Sequence, residues 1–177
     1  RGGYPPRLAT ISASFFGEPV RLMIDLQNEA DIVAILKHDP ERKLLVAGDD
    51  GRGFVVPEKE VLSQTKNGKQ CLLVKANVEA KICAPVEAGH DHVASINDNR
   101  KLLVFPLEQV PEMTRGVGVI LQKGGLSDAK TFRLKEGLTW MSGGRARTET
   151  KLKSWIGERA QTGMLPPNGF PRSKKFN

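Results

Sequence analysis

The feature that most limits how this chain can fold is that it repeats itself. "GFVVPEKEV" (53–61) lines up with "LLVFPLEQV" (102–110), setting Pro57 on Pro106 and Val61 on Val110 at an offset of 49 residues. Just upstream, Asp49-Asp50-Gly51 faces Asp98-Asn99-Arg100. Downstream, Lys66 falls on Arg115 and, after a one-residue gap, Gly68 on Gly116 and Lys75 on Lys123. Further upstream, "LMIDLQNEADI" matches "LLVKANVEAKI", with Leu22 on Leu72, Ala30 on Ala80 and Ile32 on Ile82. A weaker third copy, "SGGRARTETKLKSWIGERAQTG", has its turn at Gly143-Gly144, Trp155 near the Val61 and Val110 position, and Arg159 near the basic position. The units are Val20 to Gly68, Lys69 to Gly116 and Val117 to Gly163, followed by a basic tail over 164–177. A period near 50 built of short strands predicts the blades of a propeller-like array. No such unit can bury its apolar face alone, so each stacks on its neighbours.

Within the units the apolar runs are short. "VRLMIDL", "DIVAILK", "KLLVA", "GFVV", "QCLLV", "AKICAPV", "HVASI", "KLLVF", "GVGVILQ" and "KTFRL" read as strands, most of them separated by Gly, Asp, Asn or Pro. No window carries a long 3.6-period stripe, and only "EKEVL" and "ETKLKSWI" read as brief helical turns. The expected class is all-β.

At 177 residues the chain fits one domain with a real core, and 39% hydrophobic with 27% charged residues excludes a disordered chain. No apolar run approaches the roughly 18–20 residues of a membrane helix. The start "RGGYPPRLAT" lacks an apolar signal-peptide region and an initiator Met, so the chain is expected to be a piece of something longer. Cys71 and Cys83, not in a C-x-x-C arrangement, read as buried free thiols in a reducing cytoplasm. The net charge of +7 is uneven: residues 145–177 hold +6 and the first 144 only +1. Charge placed this way points to a polyanion partner. By itself it fits equally a solvated basic tail that keeps the chain soluble.

The segments "HDPERKLLVAGDDGRGFVV", "TKNGKQCLLV", "KLLVFPLEQVPEMTRGVGV" and "IGERAQTG" together resemble the C-terminal domain of the A subunits of bacterial gyrase and topoisomerase IV, and most closely the topoisomerase IV branch. The likeness runs from about Pro19 to Leu165. It implies a β-pinwheel: a ring of four-stranded blades that exchange strands, here about three blades plus part of a fourth. It also implies that the domain binds and guides duplex DNA over a basic rim. The gyrase branch carries a glutamine-, arginine- and glycine-rich box for tight wrapping. Here 64–70 keeps Gln64, Lys66, Gly68 and Lys69 of that pattern without its double glycine, and 113–118 keeps only Arg115, Gly116 and Gly118. That implies guiding rather than tight wrapping.

Lys and Arg side chains and glycine turns with free N–H groups are what phosphates require, although they also suit ordinary solvated hairpin turns. With the resemblance, the expected DNA contacts are Lys66, Lys69, Arg115, Arg145, Arg147, Lys151, Lys153 and Arg159. With no groove-reading helix and 6% aromatic residues, the expected mode is duplex backbone binding without sequence preference. No catalytic residue is expected: the single tyrosine, Tyr4, sits in a Pro/Gly stretch, and no Walker-type phosphate loop is present. No metal ligand is expected either. His90-Asp91-His92 near Cys83 lacks zinc spacing, and Asp49-Asp50-Gly51 reads as a hairpin turn. Trp140 and Trp155 read as core. The resemblance places DNA cleavage in an N-terminal part and ATP hydrolysis, with Mg2+, in the holoenzyme with its B subunit. Partners are then duplex DNA, the B subunit, a second A subunit, and a possible protein regulator, in a cytoplasmic, nucleoid-associated setting. The alternative is a protein-interaction platform that does not bind DNA; a free-standing enzyme ranks last.

Overall fold

The computed structural model describes residues 7–8 (backbone only), 31–65 and 67–177. It contains eleven strands: β1 Arg7–Leu8, β2 Lys43–Gly48, β3 Arg52–Pro57, β4 Lys69–Gln70, β5 Ala80–Val86, β6 His92–Ile96, β7 Leu102–Pro106, β8 Val119–Ile120, β9 Asp128–Phe132, β10 Leu138–Ser142 and β11 Arg145–Glu149. The described residues hold no α-helix, only the 3-10 turns Glu58–Val61, Leu107–Gln109 and Leu134–Glu136. The sheets run β5-β2-β3-β8, β7-β6-β9, β10-β11 and β1-β4, and among the described residues none closes on itself. The fold is therefore an all-β, propeller-like stack of blades. No described helix is long and apolar enough to cross a membrane.

The alternation of side chains along each strand builds the stack. Leu44 and Val46 of β2 face one core with Phe54, Val56, Val61 and Cys71, while Leu45 and Ala47 face a second. That second core also takes Val93 from β6 and Leu103 and Phe105 from β7. Ala94, Ile96, Leu102 and Val104 point the other way, into a third core with Leu138 and Trp140 of β10. A strand buried on both faces needs a continuous apolar run, which is why "KLLVA" and "KLLVF" show no alternation. Three cores between consecutive sheets account for the dependence of each blade on the next.

The first two hairpins repeat each other in their pairing. Lys43 pairs with Pro57 and His92 with Pro106 at the same place in these hairpins, whereas β10–β11 closes through a tighter turn with Ser142 on Arg145. Pro57 and Pro106 share one conformation (φ −60, ψ 131 and φ −61, ψ 133), and each leads into a 3-10 turn. Asp49-Asp50-Gly51 and Gly143-Gly144 form the β2–β3 and β10–β11 turns.

The outer edges of β3 and β7 are covered in the same way. Val55 donates its N–H to Pro111 O (3.0 Å) and accepts from Met113 N (2.8 Å); Val104 donates to Trp155 O (2.9 Å) and accepts from Gly157 N (2.8 Å). A second segment then pairs in the opposite sense: Val119 with Gly53, and Met164 with Leu102. Trp155 thus occupies the place of Pro111, one residue beyond Val110, and the fully buried side chain nearby is Leu152.

Several sequence expectations change. "DIVAILK" is not a strand, and Ile32, Val33, Ile35 and Leu36 are exposed. "ETKLKSWI" ends β11 and continues as turns without a helix. "QCLLV" and "GVGVILQ" form only two-residue strands and a Leu72–Gly116 bridge, because the covering segments curve past the edges rather than along them. The hairpin β10–β11 is not among the apolar runs: β11, "RARTE", is exposed and polar. The tail is not solvated throughout, since Phe170 and Phe176 are buried against Trp140. "VRLMIDL", Tyr4 and Lys66 lie outside the described residues.

Candidate nucleic-acid interface

The edge segments that cover β3 and β7 carry the basic turns. Two residues beyond Met113 stands Arg115, and two beyond Gly157 stands Arg159. Both turns then pass through a left-handed glycine, Gly118 (φ +80) and Gly163 (φ +88). A Cβ at either would collide with a backbone carbonyl oxygen, that of Gly53 or Leu102. Close approach of two backbones therefore sets where these turns leave the sheet, and with it where each arginine is displayed.

The two turns named in the sequence come together side by side. The strand after Gln70 runs parallel to the second turn, with Gly116 N donating to Cys71 O (3.1 Å) and Leu73 N to Gly116 O (2.8 Å). Exposed Arg115 donates to Gln70 Oε1 at 3.4 Å, next to exposed Lys69. The Lys69 ammonium donates to Glu60 O at 2.7 Å. Beyond β8, half-buried Arg159 donates from its guanidinium to Ile120 O (2.7 Å) and from its main chain to Gln109 Oε1 (2.8 Å). Contacts thus group Lys69, Gln70 and Arg115, and tie Arg159 to β8.

Arg145, Arg147, Lys151 and Lys153 form a second group around β11, all exposed. Arg145 and Arg147, two apart on one strand, share a face. Arg147 lies over the Trp140 ring, 5.9 Å from its centroid, and donates to Asn168 O at 3.1 Å. This fixes one arginine of the pair while leaving it exposed. Lys66 falls outside the described residues.

Three polar residues outside the sequence expectations hold the basic ones in place: Gln70, Gln109 and Glu60. The repeat holds a signal for two of them, because Glu60 and Gln109 occupy the same position, just before the buried Val61 and Val110.

The remaining candidates have local roles. His90 Nδ1 lies 2.7 Å from Thr131 Oγ1, and burial lowers its pKa. His92 Nδ1 lies 2.9 Å from Asp91 Oδ1; this hydrogen bond, with one from Leu134 N–H, holds the Asp91 carboxyl below its usual value. No group of three or more metal-ligating side chains comes together among the described residues. Cys71 is buried and Cys83 half-buried; both are free, and burial pushes each thiol up to about 11. Trp155 is half-buried at the edge of the third core and donates to Leu165 O (2.7 Å).

Residues 42–81 and 91–137 match a family model described as the DNA gyrase C-terminal domain, beta-propeller. The A subunit of DNA topoisomerase 4 from Rickettsia bellii is 43% identical over 164 residues, which is 91% of this chain and 22% of that protein. Its counterpart from Caulobacter vibrioides is 44% identical over 169 residues, 93% of this chain and 22% of that protein. The chain thus spans 22% of the length of these curated relatives. The solved E. coli ParC C-terminal domain superposes with a TM-score of 0.72 at 23% identity, covering 88% of this chain and 68% of that one. The DNA gyrase A C-terminal domain gives 0.67 at 14% identity, covering 91% and 56%. At these identities the two structures speak for the fold.

Proposed function

This chain belongs to the family of gyrase A and topoisomerase IV A C-terminal domains, of the topoisomerase IV branch, and from that premise we propose that it guides duplex DNA for a topoisomerase IV holoenzyme. The observation that carries the proposal is the matched placement of Arg115 and Arg159. Each follows the segment that covers a blade edge by two residues, and each precedes a left-handed glycine. Equivalent cations on successive blades make a curved positive rim, and duplex backbone is a curved line of negative charge.

The chemistry is electrostatic. Lys69, Arg115, Arg159 and the β11 group neutralise phosphates, with Lys66 assigned to the same turn as Lys69. Gln70 and Gln109 position the arginines rather than read bases. In the holoenzyme this domain presents a captured segment to a DNA gate elsewhere in the same polypeptide, for supercoil relaxation and decatenation. The cleaving tyrosine then belongs to that other part of the polypeptide, and the ATP and Mg2+ sites to the holoenzyme with its B subunit. The setting is the cytoplasm, at the nucleoid.

Equilibrium binding to a mixed-sequence duplex across a range of salt concentrations tests the proposal. With about six phosphates neutralised, the slope of log K against log salt is about −5, and unrelated sequences bind alike. Absence of binding at low salt leaves the protein-interaction platform as the better reading.

A further inference from the structure

We propose that the outer edge of β11 docks an extended acidic peptide, which adds to the β10–β11 hairpin as a further strand. The other two hairpins show what such an edge does with its main chain. Val55 of β3 and Val104 of β7 each give and receive a hydrogen bond on the side away from their hairpin partner. One step away, Gly53 and Leu102 pair with Val119 and Met164. The β10–β11 hairpin turns through two residues only, so Ser142 and Arg145 exchange main-chain hydrogen bonds, as do Trp140 and Arg147. Between them Met141, opposite Ala146, turns its N–H outward to Phe176 O (2.8 Å). The N–H and C=O groups of Ala146 and Thr148 therefore point away from β10. No described residue hydrogen-bonds to them.

An uncovered edge with free main-chain groups is a template for strand addition. The charge around this one selects the strand. Residues 145–153 carry Arg145, Arg147, Lys151 and Lys153 against Glu149 alone. A second copy of this edge would bring arginine against arginine, which like-charge pairing across strands disfavours. A strand with Glu or Asp at alternate positions would instead set carboxylates beside Arg145 and Arg147 on one face. Arg147 is already held in place by Trp140 and Asn168, and Arg145 makes no side-chain hydrogen bond or ion pair with a described residue.

The test uses a labelled ten-residue peptide alternating glutamate and valine, with two controls: the same peptide N-methylated at alternate residues, and a lysine/valine version. Binding is read by anisotropy, and amide hydrogen exchange is followed at Ala146 and Thr148. The proposal expects saturable binding of the acidic peptide and exchange at both amides slowed tenfold or more. It expects at least tenfold weaker binding of the N-methylated form and none of the lysine form. Arg145→Gln removes a charge and weakens binding severalfold. Ala146→Pro keeps both arginines and removes an outward N–H, which an edge strand tolerates, and weakens binding at least tenfold. Equal binding of the N-methylated peptide, unchanged amide exchange on binding, or protection of these amides by self-association alone overturns the proposal.

Discussion

Gly118 and Gly163 show how much of this architecture rests on single atoms. Each holds a left-handed conformation at a point where a side chain would meet a carbonyl oxygen of the neighbouring strand. Gly143 is also left-handed (φ +57), but a Cβ there meets nothing within 4 Å. Gly118→Ala and Gly163→Ala are therefore expected to cost about 3 kcal/mol each, from backbone strain plus displacement of the edge segment. Gly143→Ala should cost about 1 kcal/mol, from the left-handed conformation alone. Urea unfolding midpoints of the three variants distinguish these values. The two cysteines make a second prediction at this scale. Burial holds both thiols neutral, with pKa values raised from 9.0 to about 11. Because the folded values lie above the unfolded ones, this contribution to stability is complete below pH 9 and is lost as pH rises through 11. Stability measured by urea unfolding should fall between pH 9 and 11 in the wild type, and less in a Cys71→Ala, Cys83→Ala protein.

At the scale of elements, the two hairpins β2–β3 and β6–β7 are legible in the sequence because burial on both faces demands the same apolar runs twice. The third hairpin is not, because β11 is exposed and "RARTE" carries no hydrophobic signal. Its Gly143-Gly144 turn is the only mark it leaves. The covering segments are legible as turns but not as edge covers, since their pairing depends on residues more than 40 positions away. "DIVAILK" misleads for the opposite reason: an apolar run forms a strand only where a partner edge is available, and there it stays exposed. The C-terminal segment illustrates the same limit. Its charge suggests a solvated tail, while two phenylalanines at 170 and 176 bury themselves against Trp140, and Phe176 also pairs through its carbonyl with Met141 N (2.8 Å). Phe176→Ala should cost about 3–4 kcal/mol. Arg172→Ala, in the same segment but exposed, should change stability by less than about 0.5 kcal/mol. Equal midpoints for the two variants in chemical unfolding would show that the segment does not contribute to the core.

For the whole molecule, the stack of blades matters because it turns a sequence period into a spatial one. Arg115 and Arg159 are neighbours in an alignment of the repeats, and the structure places them at equivalent points of adjacent blades, tied to Gln70 on one side and to Ile120 and Gln109 on the other. The alignment cannot show that Arg159 spends part of its hydrogen-bonding capacity on the protein, since that follows from how β8 crosses the blade edge. Arg115, exposed and held by one long hydrogen bond, is the cleaner probe of the rim. The most direct measurement is duplex affinity across salt for the wild-type chain and for Arg115→Gln. The account predicts a wild-type slope of about −5 that becomes shallower by about 0.9 in the variant, with affinity lowered alike on unrelated sequences. An unchanged slope in the variant, or a wild-type slope near zero, would contradict a rim that binds through phosphates.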